Sequence, residues 1–357
     1  MPRPTLIRPT LLAVALMAIA VGMAACTSPL TTFEPASDAA DRILSLYILI
    51  TVAASIVGIL VLGAMAYILV KFRARPGRKA QQIHGNNKLE IAWTIAPILV
   101  LVAIAIPTMV WIATSSSRAV ADDAILVTAT GYQWWFEFEY EGLGPDGGTL
   151  VTANELHLPV GRQVAIELRS EDVIHSFWVL ALLGKTDMVP NRENRLEPFV
   201  PNKIGEFWGQ CAEFCGVAHA NMRFRVHVQS LADFDAWVAE MNEQTRADPE
   251  PGSAEARGKR VFEVLGGCAA CHTIAGTAAA GRIGPDLTLF GERTTVGSGI
   301  LPATDENVRA WVSDLRSVKP GARFMPTFND GDPDTDDILS EAQVADAVAY
   351  LKSLRLP

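Results

Sequence analysis

Histidine is scarce in this chain, with six residues in 357, and none of them lies in either of the two long apolar runs. Charged side chains are also missing from these runs, residues 43–70 and 91–117. A haem or copper site for oxygen chemistry inside a membrane needs several imidazole ligands. The chain therefore cannot hold such a site by itself.

An excess of basic residues is also lacking, because the formal net charge is −9, and we expect no nucleic-acid partner. The imbalance is local: residues 119–252 hold nine Lys/Arg against 21 Asp/Glu, whereas residues 1–118 hold ten against four. The acidic middle segment would attract a basic carrier protein. Docking of that carrier should therefore depend on salt.

Only five cysteines are present, and Cys26 belongs to no motif. Arg3 and Arg8 precede an apolar run that ends at Ala25, so residues 1–25 read as a secretory signal. The tetrapeptide Met-Ala-Ala-Cys resembles a bacterial lipoprotein cleavage site, which would make Cys26 the lipidated mature amino terminus. An ordinary cleaved signal or an uncleaved anchor is the alternative.

The two apolar runs are each long enough to cross a bilayer. They predict transmembrane helices at about 43–70 and 91–117, within a membrane segment of residues 40–118. Residues 71–89 between them carry six Lys/Arg and no Asp/Glu, which keeps this loop in the cytoplasm. We therefore expect a bacterial plasma-membrane protein whose amino- and carboxyl-terminal parts lie on the periplasmic side.

The most specific pattern is Gln-Cys-Ala-Glu-Phe-Cys-Gly-Val-Ala-His-Ala-Asn-Met, which contains Cys211, Cys215, His219 and Met222. Sulfur and imidazole ligands of this kind select copper over magnesium or calcium. His175, in an apolar and aromatic run typical of a buried strand end, is the best candidate for a second histidine. A disulfide or a zinc site is the alternative, but neither explains the methionine.

These motifs resemble subunit II of the haem-copper cytochrome c oxidases, whose copper centre, CuA, holds two coppers bridged by two thiolates. The resemblance implies this ligand set: His175, Cys211, Glu213 through its backbone carbonyl, Cys215, His219 and Met222. The two cysteines would bridge both ions, each histidine would bind one, and the methionine would be a weak axial ligand. The Glu213 carboxylate would reach a magnesium ion shared with the catalytic subunit.

Beyond the second apolar run, short β-branched and aromatic stretches alternate with turn signals and predict an antiparallel β-sandwich or barrel over residues 119–243. The placement of the ligands resembles the cupredoxin fold. In the predicted strand Tyr132–Tyr140, the family resemblance implies that Trp134 accepts electrons; a core or interface aromatic is the alternative. His157 and His227 have no partner motif, and we interpret both as structural.

Residues 244–253 are polar, contain two prolines and are typical of a linker. Residues 254–357 contain the motif Cys-Ala-Ala-Cys-His at 268–272 and resemble an all-α class I cytochrome c domain. Its helices are expected near 254–265 and 304–315, followed by a closing helix that begins with a capping box at Ser340. The predicted fold class is a multidomain membrane protein with a transmembrane hairpin, a cupredoxin-like sandwich and this helical domain.

The sequence Cys-Ala-Ala-Cys-His is the c-type haem attachment signal. Cys268 and Cys271 would bond to the porphyrin, and His272 would be the proximal iron ligand. Met325 is the only methionine after residue 241, so a thioether sixth ligand must be this residue. A thioredoxin-like redox pair is the alternative, but it would require a preceding strand and a different surrounding fold.

The resemblance implies subunit II of a cytochrome c oxidase with a fused cytochrome c domain. Electrons would pass from a cytochrome c or a quinol–cytochrome c reductase to the haem, then to the copper centre, and then to subunit I, where oxygen is reduced to water with coupled proton translocation. Subunit III is a further implied partner. The cofactors implied are two copper ions, one covalent haem c and the interfacial magnesium.

Glu90 matches the family's carboxylate at the mouth of a proton channel; a helix N-terminal carboxylate that complements the dipole is the alternative. Two other functions also stay open. An electron-input subunit of a CuA-type nitric oxide reductase would keep both metal centres. A membrane-anchored copper carrier for oxidase assembly would need exchangeable copper and has no use for a covalent haem.

Overall fold

The fold is given by a computed structural model. It describes residues 17, 29–77, 82, 84–243, 248–322, 324–332 and 337–355. Apart from residue 17, the predicted signal peptide lies outside the described residues, as do Cys26 and residues 244–247 of the predicted linker.

Two long helices form the hairpin expected of the apolar runs: α1 spans Asp38–Lys71 and α2 spans Asn87–Ser116. An 18-residue stretch within each helix has a mean hydropathy of 2.6 in α1 and 2.5 in α2, and the apolar side chains of both helices are largely exposed. The caps explain where the helices begin, because the side chains of Ser37 and Asn86 accept backbone hydrogen bonds from the first turns. Each helix is long and apolar enough to cross a membrane.

A two-sheet sandwich follows the hairpin. Its strands are β1 (Ile125–Tyr132), β2 (Trp135–Tyr140), β3 (Leu150–Ala153), β4 (Glu155–Pro159), β5 (Val164–Ser170), β6 (His175–Trp178), β7 (Thr186–Met188), β8 (Asn194–Arg195), β9 (Gly205–Cys211) and β10 (Arg223–Gln229). The sheet orders are β3-β2-β1-β5-β8 and β4-β10-β9-β6-β7. Aromatic rings, among them Phe136, Phe177 and Phe224, fill the core between the sheets.

The antiparallel expectation was wrong for two pairs of strands. β1 pairs with β5, and β4 pairs with β10, in parallel register. The reason is that the chain crosses between the two sheets, so strands distant in sequence become neighbours. Sequence periodicity reports which face of a strand is buried and not which strand lies beside it.

The predicted strand Tyr132–Tyr140 is also interrupted. Tyr132 pairs with Trp135 as the last rung of the β1–β2 hairpin, and Gln133 and Trp134 form the turn. This turn contains no glycine, asparagine or proline, so no turn signal marked it. The turn matters for the candidate site, because the side chains of Gln133 and Trp134 both donate hydrogen bonds to the backbone oxygen of Cys215.

Helix α3 (Leu231–Asn242) packs on the sandwich, and the last part of the chain is mainly helical. That part contains α4 (Ala254–Arg260), α5 (Asp305–Ser313), α6 (Leu315–Val318), α7 (Glu341–Ser353), and the two-residue strands β11 (Thr295–Val296) and β12 (Leu301–Pro302). The predicted first helix changes at Val261 into a π-helical turn that ends at Leu265. The capping box at Ser340 is present as predicted.

The two terminal helices α4 and α7 cross closely. A Cβ added to Gly258 would lie 1.9 Å from the Asp346 backbone oxygen, so only glycine fits this crossing. The crossing closes one side of the helical domain. The remaining side faces the sandwich, and Trp311 and Met325 pack against both hydrophobic cores. The fold class predicted from the sequence is confirmed.

Candidate copper and haem centres

Five candidate copper ligands converge at one end of the sandwich. Cys211 is the last residue of β9, His175 is the first residue of β6, and the other three lie on the β9–β10 loop. The Cys215 Sγ lies 3.7 Å from the Cys211 Sγ, 3.5 Å from the His219 Nδ1 and 3.8 Å from the Met222 Sδ. The Cys211 Sγ lies 3.9 Å from the His175 Nδ1. The fold thus gathers two thiols, two imidazoles and one thioether.

The chemistry of this donor set fits copper. Thiolates bind a metal ion of this size at about 2.3 Å, so ions can sit between sulfurs 3.7 Å apart. The hydrogen bond between the two sulfurs lowers the pKa of Cys211 and raises the pKa of Cys215. One thiolate thus forms readily, while a second negative charge beside it requires a cation. That requirement is what a bridged metal pair satisfies.

Glu213 contributes two different groups. Its backbone oxygen lies 3.2 Å from the Cys211 Sγ, among the ligands. Its side chain is 44% exposed and lies 3.7 Å from the Lys185 Nζ. The carbonyl therefore faces the centre, whereas the carboxylate faces the surface.

Asp172 completes the surroundings of His175, and the sequence analysis missed it. Its Oδ1 lies 2.7 Å from the His175 Nε2, and its Oδ2 accepts a hydrogen bond from the Gln133 backbone at 2.6 Å. Burial alone would raise the pKa of Asp172, but these hydrogen bonds lower it. A charged carboxylate therefore holds the ring so that Nδ1 faces the sulfurs. The spacing Asp-x-x-His was a signal that could have pointed to this residue.

Trp134 lies between the copper ligands and the helical domain. Its Nε1 donates to the Cys215 backbone oxygen at 2.9 Å, and the Gln133 Nε2 donates to the same oxygen at 2.7 Å. On its other side the Trp134 ring lies 6.2 Å from the Phe324 ring, centroid to centroid. Phe324 immediately precedes Met325. The indole is 8% exposed, so it bridges the two sites inside protein.

A cavity of about 560 Å³ brings together the predicted haem residues. Cys268, Cys271, His272 and Met325 all line it, and Trp134 lines it from the sandwich side. This volume lies in the range of cofactor pockets, roughly 300–1,000 Å³. Cys268 begins a short helical turn, Cys268–Ala270, and Cys271 follows directly after it, so both thiols line the cavity.

His272 is arranged as an iron ligand. Its Nδ1 lies 2.8 Å from the Pro285 backbone oxygen, which leaves Nε2 for the metal. Burial lowers the pKa of His272, so the ring stays neutral and keeps its lone pair. A Cβ added to Gly284 would lie 2.5 Å from the His272 Cε1, so glycine is required beside this ring.

The two histidines interpreted as structural lie side by side on β4 and β10. The His157 and His227 rings stack at 4.7 Å, and the Glu155 Oε2 lies 3.8 Å from the His227 Nε2. The other oxygen of Glu155 accepts hydrogen bonds from the backbones of Thr294 at 2.9 Å and Thr295 at 3.1 Å. The cluster therefore anchors the helical domain to the outer face of the sandwich.

Glu90 lies in the first turn of α2. Its Oε1 accepts a hydrogen bond from the backbone of the capping residue Asn86 at 3.4 Å. The carboxylate thus complements the helix amino terminus, as expected from the dipole. This contact accounts for the position of Glu90 without reference to a proton path.

Three family models match the chain. Residues 12–110 match the transmembrane domain of cytochrome c oxidase subunit II, residues 145–229 match the periplasmic domain of that subunit, and residues 255–355 match cytochrome c. The matches follow the three parts of the fold in chain order. A membrane hairpin, a periplasmic domain and a cytochrome domain are therefore combined in one polypeptide.

Curated relatives cover nearly the whole chain. Cytochrome c oxidase subunit 2 of Alkalihalophilus pseudofirmus is 37% identical over 92% of this chain and 91% of its own length. The subunit 2 of Bacillus subtilis is 33% identical over 93% of this chain and 94% of its own. The crystal structure of the periplasmic domain of subunit II of cytochrome oxidase from Bradyrhizobium japonicum is 28% identical, covers 36% of this chain and all of that structure, and has a TM-score of 0.32.

Proposed function

Because the chain belongs to the family of cytochrome c oxidase subunit II and carries a fused cytochrome c domain, we propose that it takes up electrons at a covalent haem c and passes them through a binuclear copper centre to subunit I. The observation that carries this proposal is the position of Trp134, which contacts the copper loop through Cys215 and lines the haem cavity. The two sites thus share one buried indole.

Copper and haem supply one-electron oxidation and reduction when bound, and the chain's residues hold and connect the two sites. His175, Cys211, Cys215, His219, Met222 and the Glu213 carbonyl would hold two copper ions. Cys268 and Cys271 would attach the haem, and His272 and Met325 would ligate its iron. The exposed Phe324 ring, the buried Trp134 ring and the hydrogen bond to the Cys215 carbonyl form a short route between the sites. Fusion of the carrier raises its effective concentration at the copper domain.

The remaining family roles extend this proposal to the complex. Subunit I is the partner implied by the family. Subunit III would be a further partner, and a cytochrome c or a quinol–cytochrome c reductase would donate the electrons. The exposed Glu213 carboxylate is suited to a magnesium ion at the boundary with subunit I. Glu90 would serve a proton path coupled to oxygen reduction. Cys26 would be the lipidated mature amino terminus.

The alternatives are less well supported. The curated relatives are named as oxidase subunits, which favours an oxidase over a nitric oxide reductase. A copper carrier has no use for the cavity that Cys268, Cys271 and His272 line. The family match therefore leaves electron input to an oxidase as the best-supported function.

Electron paramagnetic resonance of the purified complex tests the proposal. We expect a copper signal in which one electron is shared equally by two ions, together with the absorption spectrum of a covalently held low-spin haem. A single exchangeable copper would instead favour the copper carrier. Turnover of nitric oxide without oxygen consumption would favour the reductase.

We expect Asp172→Asn to weaken copper binding without removing a ligand. The neutral amide cannot hold the His175 ring as the carboxylate does, and changes of this kind cost roughly 10–100-fold in metal affinity. Copper retention against a graded chelator measures the effect. Glu171→Gln, at the exposed neighbouring position, is the matched control and should retain copper like the wild type. Equal retention by the two variants would contradict the assigned role.

We expect Met325→Ala to lower the haem midpoint potential. A thioether ligand raises the potential, and its loss should cost on the order of 0.1 V within the roughly 0.8 V range that axial ligands cover. Spectroelectrochemical titration of the haem band measures the shift. An unchanged potential would reject Met325 as the sixth ligand.

A further inference from the structure

Lys319 is a buried lysine at the junction of the two electron-transfer domains. It follows α6 in the haem domain and is 2% exposed. Burial lowers the pKa of Lys319 to about 7, and the nearby Cys215 sulfur acts in the opposite direction. A desolvated ammonium is costly unless its hydrogen bonds are satisfied. Its partners therefore indicate why the lysine is placed there.

Both partners of the ammonium lie at the domain boundary. The Lys319 Nζ donates to the backbone oxygen of Trp134 in the copper domain and to the Ser298 Oγ at 2.8 Å. The Ser298 Oγ donates to the same Trp134 oxygen at 2.9 Å. One carbonyl of the copper domain thus accepts two hydrogen bonds from the haem domain.

The Ser298 loop is shaped for this contact. Gly297, Ser298 and Gly299 have consecutive positive φ angles of 70°, 66° and 74°. Ser298 is not a glycine, and its left-handed backbone is uncommon and needs support from its surroundings. That support includes the Arg223 backbone N–H, which donates to the Ser298 oxygen at 3.1 Å. The loop and the lysine therefore approach the copper domain together.

Trp134 transmits this contact to the copper ligands. Its carbonyl is held by the haem domain, while its indole Nε1 donates to the Cys215 carbonyl. The same ring faces Phe324, the neighbour of Met325. A shift of the Trp134 backbone would therefore change the ring's distance to both sites at once.

We propose that Lys319 is a positioning residue for electron transfer between the haem and the copper centre, fixing the Trp134 carbonyl so that the indole stays between the two sites. This inference rests on the proposed function and adds to it a residue whose hydrogen bonds go to Trp134 and Ser298 and not to a candidate metal ligand. Electron transfer over such a route depends on the placement of its groups. A lysine in the haem domain therefore controls a group in the copper domain.

Lys319→Met is the informative variant. Methionine is unbranched, of similar length and apolar, so it removes the charge and the donor without leaving a large cavity. The Trp134 carbonyl keeps the hydrogen bond from Ser298, so it is not left as an unsatisfied buried acceptor. The domains should therefore still fold and dock.

The experiment injects one electron photochemically into the haem of the purified complex and follows haem reoxidation and copper reduction. We expect Lys319→Met to slow this step by at least about tenfold, because misplacement by as little as about 1 Å can cost up to about 100-fold. The binuclear copper signal and oxygen consumption with a small reductant that reduces copper directly should stay as in the wild type. The midpoint potentials of both proteins are titrated as well, because the variant removes a buried charge near Cys215 in the lining of the haem cavity.

Lys352→Met is the matched control, because the Lys352 Nζ donates to the Ala303 oxygen inside the haem domain and should not affect the transfer rate. An unchanged rate in Lys319→Met would overturn the inference. A slower rate that the change in driving force between the two midpoint potentials fully accounts for would also overturn it, as would loss of the binuclear copper signal, since the lysine would then act through the potentials or the fold. Failure of the proposed function is distinguishable, because the wild type itself would then lack the binuclear signal or the transfer step.

Discussion

Changing Cys215 to serine is expected to abolish the shared-electron copper signal. The Cys215 Sγ lies within 3.8 Å of the donor atoms of three other candidate ligands, His219, Met222 and Cys211. The substitution therefore removes the sulfur at the centre of the site. A hydroxyl is a poor ligand for soft ions. Loss of a bridging ligand should lower copper affinity more than loss of a supporting contact such as the one from Asp172. Copper affinity should therefore fall by more than about 100-fold.

Electron paramagnetic resonance and copper content measure this loss, and oxygen consumption should fall with them. The haem spectrum of the same sample is the internal control, because Cys215 does not line the cavity and is not among the residues proposed to attach the haem or ligate its iron. A variant that kept a binuclear signal would show that the two thiols do not bridge the ions. The central motif would then need another explanation.

Changing His272 to alanine is expected to have the reciprocal effect. The iron would lose its proximal ligand, whose position is set by the Pro285 carbonyl. The low-spin spectrum should disappear, and oxygen consumption with the natural donor should fall. Electrons would then reach copper only by diffusional encounter, without an advantage on the order of 100-fold or more from tethering.

The copper signal should survive in His272→Ala, and a small reductant that reduces copper directly should restore oxygen consumption. The two variants together test each centre independently. His272→Ala should remove the low-spin haem spectrum and keep the copper signal, and Cys215→Ser should remove the copper signal and keep the haem spectrum. Wild-type turnover with the natural donor in His272→Ala would show that electrons bypass the haem. In that case the fused domain would not be the electron acceptor.

Much of the site could be predicted from local sequence because its ligands are clustered in the chain. Three candidate copper ligands lie on the β9–β10 loop with Cys211 directly before it, and the predicted haem motif spans five residues. Residues a few positions apart stay close in any compact conformation. Such spacings therefore indicate which side chains can share a metal or a haem, whatever the fold. His175 was found through its apolar context, although it lies 36 residues from Cys211.

The positions that the sequence analysis missed depend on long-range packing. Asp172 became recognisable only when its carboxylate was seen against His175, and the Gln133–Trp134 turn broke a predicted strand. Glu155 and Lys319 belong to no motif, because each acquires its role from residues more than one hundred positions away. No periodicity or spacing encodes such contacts.

The membrane hairpin, the order of the domains and the candidate set of metal-binding side chains follow from the amino-acid sequence alone. Hydrophobic length, charge asymmetry and short ligand spacings are local properties that any fold must respect. The tertiary structure decided which strands are parallel, how the haem domain docks, and that one indole lies between both sites. These features arise from close packing between distant segments, whose partners are set by the shape and satisfied polar groups of the whole fold.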